Sequence, residues 1–189
     1  ELLCKLIDSF TAKPRGLILY DFETGSIKWR YDLPCNPRSV LWDDFDDNGS
    51  KEIIVSNEAL KNTTEIINDV DDSSGWIIVL CAKGDLLFKE KEFSGYGRIY
   101  LDAADVKQDG IKEIYAVNCT WGSEKHFNIA SVFNWNGKRL IKNRTLELPS
   151  TLESNQFPNF LQQMDSRSDY YLHLVDTKAG LLILDTNLN

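Results

Sequence analysis

The sequence predicts an all-β protein built from repeated units of four antiparallel strands. Short runs rich in Ile, Val, Leu, Tyr and Trp are interrupted about every ten residues by Gly, Asn or Asp, and no long helical period competes with them. Four of these runs resemble one another: 16–21, 75–80, 129–134 and 180–185. An acidic loop also recurs at Asp44, Asp105 and Asp165, with 61 residues between the first two and 60 between the last two. A period near 60 residues suits one four-stranded unit with its loops.

The predicted elements follow from where the apolar runs meet turn residues. Residues 1–10 form an earlier strand or a short amphipathic helix, and a hairpin pairs residues 16–21 with 26–33 across Gly25. The strands of the next unit are predicted at 38–43, 52–57, 75–81 and 85–92. A second unit ends in the hairpin 129–134 and 138–148, and the last unit has strands at 158–164, 170–175 and 180–186. Four tryptophans fall within strand runs and are expected in the core: Trp29, Trp42, Trp76 and Trp135.

The first acidic loop, residues 44–52, has the pattern of a calcium-binding loop. Oxygen-bearing side chains at alternating positions turn inward where the backbone curls, and Gly49 permits the sharp turn. An EF-hand is excluded because its twelfth position is Val55 and the flanking residues favour strands. The alternative is a solvated acidic turn, since Asp and Gly are common in turns. The predicted ligands of one structural Ca²⁺ are the side chains of Asp44, Asp46, Asn48 and Glu52 and the carbonyl group of Ser50.

This motif, D-x-D-x-N-G-x-x-E from Asp44 to Glu52 followed by aliphatic residues 53–55, resembles the FG-GAP or VCBS-like repeat of integrin alpha-subunit propellers. The resemblance implies a β-propeller in which the loop connects the first two strands of a four-stranded blade. Because propellers have about four or more blades, the chain is either a segment of a larger propeller or a small one closed by pairing its termini. The resemblance implies about three and a half blades in one segment, 1–189: a partial blade at 1–37, blades at 38–93 and 94–148, and an incomplete blade at 149–189.

The other two acidic loops carry a basic residue, Lys107 or Arg167, where the first carries Asp46. We expect this cation either to hold the turn by charge-assisted hydrogen bonds in place of a metal, or to be solvated. Both alternatives predict that these loops hold no metal ion. The third loop departs further, since Tyr170 and His173 replace the Gly and the Glu.

Two connections between predicted strands, 58–74 and 118–127, are longer than a turn needs. By the resemblance they lie together opposite the calcium loops, where such connections contact a partner. The candidate contact residues are Trp121, Lys125 and His126; the alternative is a Trp that packs the loop down and a solvated His. In the first connection, the acidic run 69–73 is expected to be a flexible tip rather than a second cation site.

Charge and composition exclude several classes of function. A formal net charge of -8 without clustered Lys and Arg argues against a nucleic-acid partner. There is no apolar run of about 18 residues, so no membrane insertion is predicted. The four cysteines lack C-x-x-C spacing, which argues against a zinc site, and they are either free or paired. Sequons at Asn62, Asn118 and Asn143 agree with a location outside the cytoplasm, extracellular or periplasmic.

The function predicted from these features is a non-enzymatic interaction or adhesion module that binds Ca²⁺ and presents loops to a protein or glycan partner. Signs of an enzyme are sparse: His126 and His173 are the only histidines, and there is no G-x-S-x-G or phosphate-binding glycine loop. The alternatives are a fragment of a polysaccharide lyase or hydrolase, because some such lyases use similar propellers, and a sensory propeller domain of a receptor.

Overall fold

A computed structural model describes residues 1–7, 13–120, 128–148, 161–163, 170–176 and 180–189. The described residues contain β-strands and no helix, and so no helix that could cross a membrane. In chain order the strands are β1 (Leu2–Leu6), β2 (Gly16–Asp21), β3 (Ser26–Asp32), β4 (Asn36–Asp43), β5 (Glu52–Ala59), β6 (Ser74–Cys81), β7 (Leu86–Ser94), β8 (Gly97–Ala104), β9 (Glu113–Thr120), β10 (Asn128–Trp135), β11 (Leu140–Leu148), β12 (Leu161–Gln163), β13 (Tyr170–Asp176) and β14 (Gly180–Asp185).

All strand pairs are antiparallel, and most join neighbours in the chain. Strands β4 to β7 form one four-stranded meander, and β8 to β11 form a second. Two residue pairs, Glu58 with Arg98 and Ala59 with Gly97, join the meanders through β5 and β8. Three-stranded sheets flank them, β1-β2-β3 on the N-terminal side of the chain and β12-β13-β14 on the C-terminal side. The all-β, antiparallel prediction is therefore confirmed, and the first residues form a strand at Leu2–Leu6 rather than a helix.

The position of each strand in its meander explains its sequence. Strand β9 lies between two partners and is buried along its whole length, as is nearly all of β5, so both are rich in aliphatic residues. Strands β7 and β11 pair on one side only in the described residues, and most of their Lys, Glu and Arg side chains are partly or fully exposed, with the buried Glu92 as an exception. Charged edges of this kind discourage pairing with another chain.

Three apolar clusters hold the layers together, and successive residues of one strand serve different clusters. Ile54 packs between the two meanders with Phe133 and Trp135. Ile53 and Val55, which lie on the other face of the same strand, pack against the N-terminal sheet. A third cluster joins the second meander to the C-terminal sheet; it contains Tyr100, Tyr115, Val117, Val132, Leu172 and Leu184. Among the tryptophans, Trp135 is fully buried, and the other three predicted core tryptophans pack at the edge of the N-terminal cluster: Trp29, Trp42 and Trp76.

The cysteines and sequons are also placed by these strands. All four cysteines are free, which decides between the two alternatives left by the sequence. Burial raises the pKa of Cys35 and of Cys119 to about 12, so both thiols stay protonated at neutral pH. Asn118 lies inside β9 and is only 2% exposed, so the sequon that it begins is inaccessible in the folded chain.

Candidate metal centre

The loop between β4 and β5 is wound around the carboxylate of Asp44. Its two oxygens accept hydrogen bonds from the backbone N–H groups of Asn48 (3.1 Å) and Gly49 (2.8 Å). Two residues adopt left-handed conformations to close the turn, Asp47 with φ 57° and Gly49 with φ 84°. Asp and Gly are among the few residue types that reach this region at low cost, so the local sequence accounts for the tight curl.

Three carboxylates converge inside this curl. Ligand oxygens of Asp44, Asp46 and Glu52 all lie within 4.8 Å of one another. Glu52 is only 4% exposed and accepts a hydrogen bond from Phe45 N (3.3 Å), while the Oδ1 atom of Asp46 is buried and has no hydrogen-bond partner among the described residues. A buried carboxylate oxygen without a donor needs a cation or water to satisfy it. The cluster could therefore hold a metal ion.

The electrostatics of the three carboxylates also favour a cation. Burial raises the pKa of Glu52 above its ordinary value of 4.5, and the neighbouring charges of Asp46 and Asp44 raise it further. The ionised form of Glu52 is thus disfavoured in the fold unless positive charge is supplied. A divalent cation with oxygen ligands would supply it.

The structure brings together three of the predicted ligands and gives a different contact to a fourth. The Asn48 side-chain oxygen accepts a hydrogen bond from Ser50 N (2.8 Å) in an exposed part of the turn. Its ligation of a metal remains a prediction, as does that of the Ser50 carbonyl.

The second acidic loop, between β8 and β9, repeats this geometry with one change of charge. Asp105 accepts from Asp109 N (3.1 Å) and Gly110 N (2.9 Å), as Asp44 does from the matching positions 61 residues earlier. Glu113 is 4% exposed and accepts from Val106 N (3.2 Å), as Glu52 does from Phe45 N. The ammonium group of Lys107 contacts Glu113, and this hydrogen bond raises the pKa of Lys107. Of the two alternatives for Lys107, the structure supports the charge-assisted bond.

The two loops lie side by side. The Lys112 ammonium of the second loop is 2.9 Å from Asp43 Oδ2 and 3.3 Å from the backbone oxygen of Asp44. Gly110 lies so close to Asp47 that an added Cβ would stand 2.7 Å from Asp47 Oδ2. Lys112 of the second loop therefore balances part of the negative charge of the first loop. It contacts Asp43 and the backbone of Asp44 rather than the three clustered carboxylates.

Several predicted site residues lie outside the described residues. These are the candidate partner contacts Trp121, Lys125 and His126, and the third acidic loop with Asp165, Arg167 and Asp169. The interpretations given to them remain predictions.

The acidic run 69–73 differs from the expected flexible tip. Asp72 is 1% exposed and accepts hydrogen bonds from Leu60 N (3.0 Å) and Asn62 N (2.9 Å), and Arg15 Nη1 lies 3.8 Å from its carboxylate. Val70 is fully buried as well. Val70 and Asp72 therefore belong to the interface with the N-terminal sheet, where Arg15 and two backbone donors compensate the buried charge of Asp72, whereas the Asp69 side chain is 94% exposed. Among the described residues, this run forms no cluster able to hold a metal.

A cavity that sequence reasoning missed adjoins the second loop. It has a volume of about 480 Å³ and lies between the second meander and the C-terminal residues Thr186 and Asn187. Lys107 and Asn134 line both this cavity and a second one of about 400 Å³, which reaches Asp46. No sequence motif marks the cavity, since its lining comes from separate strands and loops.

Comparison with known proteins bears on the fold. Neither a known protein family nor a curated protein matches this sequence. Among solved structures, the chain is similar to the crystal structure of the exotype rhamnogalacturonan lyase YesX, with a TM-score of 0.58 and 15% sequence identity. The similarity covers 96% of this chain and 35% of the lyase chain, so this chain spans about a third of the length of that protein. At this identity, the likeness is one of fold.

Proposed function

We propose that the chain is a calcium-stabilised segment of a β-propeller that presents loops to a protein or glycan partner. In this proposal the two four-stranded meanders, within 38–93 and 94–148, are successive blades of the FG-GAP type. The flanking sheets belong to a partial blade before them and an incomplete blade after them. The matched acidic loops and the packing of each sheet against its sequence neighbours support this arrangement.

The observation that carries the calcium part is the match between the two acidic loops. Both hold the same backbone bonds to the first Asp and to the last Glu, yet one places Lys107 where the other places Asp46. In the second loop the positive charge comes from a side chain that contacts Glu113. In the first loop no side-chain cation contacts Glu52 among the described residues, so a bound cation is needed for the same role. Carboxylate and amide oxygens suit Ca²⁺.

The same chemistry supports a proposal for the location. Calcium modules outside cells bind with dissociation constants of about 10⁻⁴ to 10⁻³ M, and the few carboxylates of this turn fit that weak class. Such a site is filled only where calcium is abundant. We therefore propose an extracellular or cell-surface setting, with the ion stiffening the turn and the long connections, including Trp121 and Lys125, contacting the partner.

Two measurements test this function. Calorimetric titration with CaCl₂ should give one site per chain, and a panel of immobilised glycans should retain the protein in calcium but not in chelator. Replacing Trp121 and Lys125 by Ala should abolish retention while leaving calcium binding intact. A protein that binds no calcium, or whose glycan retention ignores both the chelator and these substitutions, would contradict the proposal.

A second candidate is a segment of a polysaccharide lyase, favoured by the fold likeness to the rhamnogalacturonan lyase. Incubation with rhamnogalacturonan separates the two: formation of an unsaturated product, followed by its ultraviolet absorbance, would establish lyase activity. Binding to the polymer without product would favour the non-enzymatic module. A matched digestion with calcium removed shows whether any activity depends on the metal loop.

A further inference from the structure

The 480 Å³ cavity has the size and lining of a small-molecule site. Ligand pockets typically measure about 300 to 1,000 Å³ and combine an apolar floor with a few convergent polar groups. Here the floor is apolar: Val106 is half-buried, and Tyr115 and Val132 are 1% and 5% exposed. The Tyr115 hydroxyl donates to the Thr186 carbonyl oxygen (3.4 Å), which fixes the ring beneath the cavity.

The ionised groups of the lining favour a ligand with a single negative charge. Lys107 and Arg144 are both cationic and Glu113 is the one acidic group in the lining, so the described lining carries a net charge of +1; just outside the lining, Asp105 and Asp109 act on Lys107, and Asp185 on Arg144. This sign opposes the net charge of -8 for the whole chain. Lys107 is 63% exposed although it contacts Glu113, and Arg144 commits Nη1 to the Asn187 carbonyl oxygen (2.5 Å). Both side chains are thus anchored while keeping further N–H donors for a ligand.

The two amides of the lining favour hydroxyl groups. Asn143 Nδ2 donates to Asn134 Oδ1 at 2.5 Å, which orients the pair. Within the part of the chain that the structure describes, this leaves Asn134 Nδ2 as a donor and Asn143 Oδ1 as an acceptor without other hydrogen bonds. A neighbouring donor and acceptor suit a hydroxyl group, which donates and accepts at once.

We infer that this cavity binds a uronate, a sugar ring that carries one carboxylate. The carboxylate lies between Arg144 and Lys107, the ring hydroxyls bond to Asn134 and Asn143, and the apolar ring face rests on Val132 and Tyr115. This assignment goes beyond the proposed function, because it adds a small-molecule site beside the second acidic loop, separate from the long connections proposed to contact a partner. It also gives Lys107 two roles, because the side chain that replaces a metal in its loop supplies positive charge to the cavity as well.

The test is an NMR titration of the full chain with sodium glucuronate, with glucose and sodium acetate as matched probes. Glucose lacks the carboxylate, and acetate lacks the ring and its hydroxyls. Glucuronate should saturate the shifts of the Val132 and Tyr115 amide signals in the millimolar range. Both probes should bind at least about tenfold more weakly, because glucose loses the charge-assisted bonds of the carboxylate and acetate loses the hydroxyl bonds and the ring contact.

Substitutions locate the site. Arg144→Gln and Asn134→Ala should each weaken glucuronate binding, the first by about tenfold. Lys138→Gln removes a positive charge from the exposed turn of the same hairpin, outside the cavity, and should leave the affinity unchanged. Arg144→Gln also removes the bond to the Asn187 carbonyl oxygen and could destabilise the C-terminal residues, which a lowered Tm would reveal. In that case Asn134→Ala is the decisive variant.

The outcomes separate this inference from the calcium proposal. Absence of binding, equal binding of glucose or acetate, or glucuronate binding unchanged in both cavity variants would overturn the uronate site. Calcium titration of the same Arg144→Gln protein should still give one site, because Arg144 contacts no residue of the first acidic loop. Glucuronate binding in a chain that takes up no calcium would leave the cavity assignment standing and remove the calcium proposal.

Discussion

Removing the Asp46 carboxylate should abolish calcium-dependent stability while sparing the calcium-free fold. Asp46 is a partner in two of the three repulsions among Asp44, Asp46 and Glu52, whose ligand oxygens lie within 4.8 Å of one another. At an effective dielectric constant near 20, one such pair costs roughly 3 kcal/mol, and exposure to water lowers this figure. A bound cation would offset this repulsion. Without the Asp46 carboxylate, the repulsion among the remaining carboxylates is smaller, and the predicted calcium site lacks one ligand.

The size of the calcium effect follows from mass action. A ligand at a hundredfold excess over its dissociation constant stabilises the native state by about 2.7 kcal/mol. For a chain of 189 residues this corresponds to a rise in Tm of roughly 5 to 10 °C. We expect this rise in the unmodified protein on going from chelator to calcium. In Asp46→Ala we expect none, with a Tm in chelator equal to or above that of the unmodified protein.

Differential scanning calorimetry with and without chelator measures both values, and calorimetric titration measures the number of sites. Asp47→Asn is the matched control, because it removes a negative charge from the same turn at a residue that is exposed and outside the carboxylate cluster. Asn tolerates the left-handed conformation found there. A calcium-induced increase in Tm that is unchanged in Asp46→Ala would contradict this prediction. So would the loss of that increase in Asp47→Asn to the same extent as in Asp46→Ala.

Three further predictions concern the same structure. Lys107→Asp should add a second calcium site, so the stoichiometry rises from one to two; a value that stays at one would show that the loops differ in more than this charge. Asp72→Ala should lower the free energy of unfolding by about 3 kcal/mol and lower the urea midpoint without changing the slope, because it removes the acceptor of two buried N–H groups and the carboxylate that faces the buried Arg15 guanidinium, whose bonds to Pro34 and Asn62 remain; an unshifted midpoint would contradict this. The raised pKa of Glu52 means that the calcium-free protein should lose stability as pH rises from 4.5 through that pKa; the loss should be absent in Glu52→Gln and present in Asp47→Asn.

Local patterns in the sequence were sufficient for most of the strands and for the curl of the first acidic loop. Short apolar runs bounded by turn residues predicted β5 at 52–57 and the hairpin of β10 and β11 at 129–134 and 138–148, since strand formation depends on residues close in the chain. The convergence of Asp44, Asp46 and Glu52 was predictable for a similar reason. Nine residues closed by a left-handed glycine bring alternate side chains together whatever the rest of the chain does.

The tertiary structure decided every feature whose parts are distant in sequence. Nothing near Asp72 indicates that Arg15 will lie beside it, so the run 69–73 was predicted to be a flexible tip although Val70 and Asp72 within it are buried. The short β5–β8 junction, Glu58 with Arg98, likewise depends on how two meanders meet.

The uronate cavity is the strongest example of this division. Lys107 comes from a loop, Asn134 and Arg144 from two different strands, and Asn187 from the C-terminal end of the chain. Each has an ordinary local explanation as a turn or surface residue, and no spacing links them. Local sequence patterns specify most of the strands and one oxygen-lined turn, because these depend on short-range geometry. Packing between sheets forms the cavity, because it sets the distances among residues from separate elements.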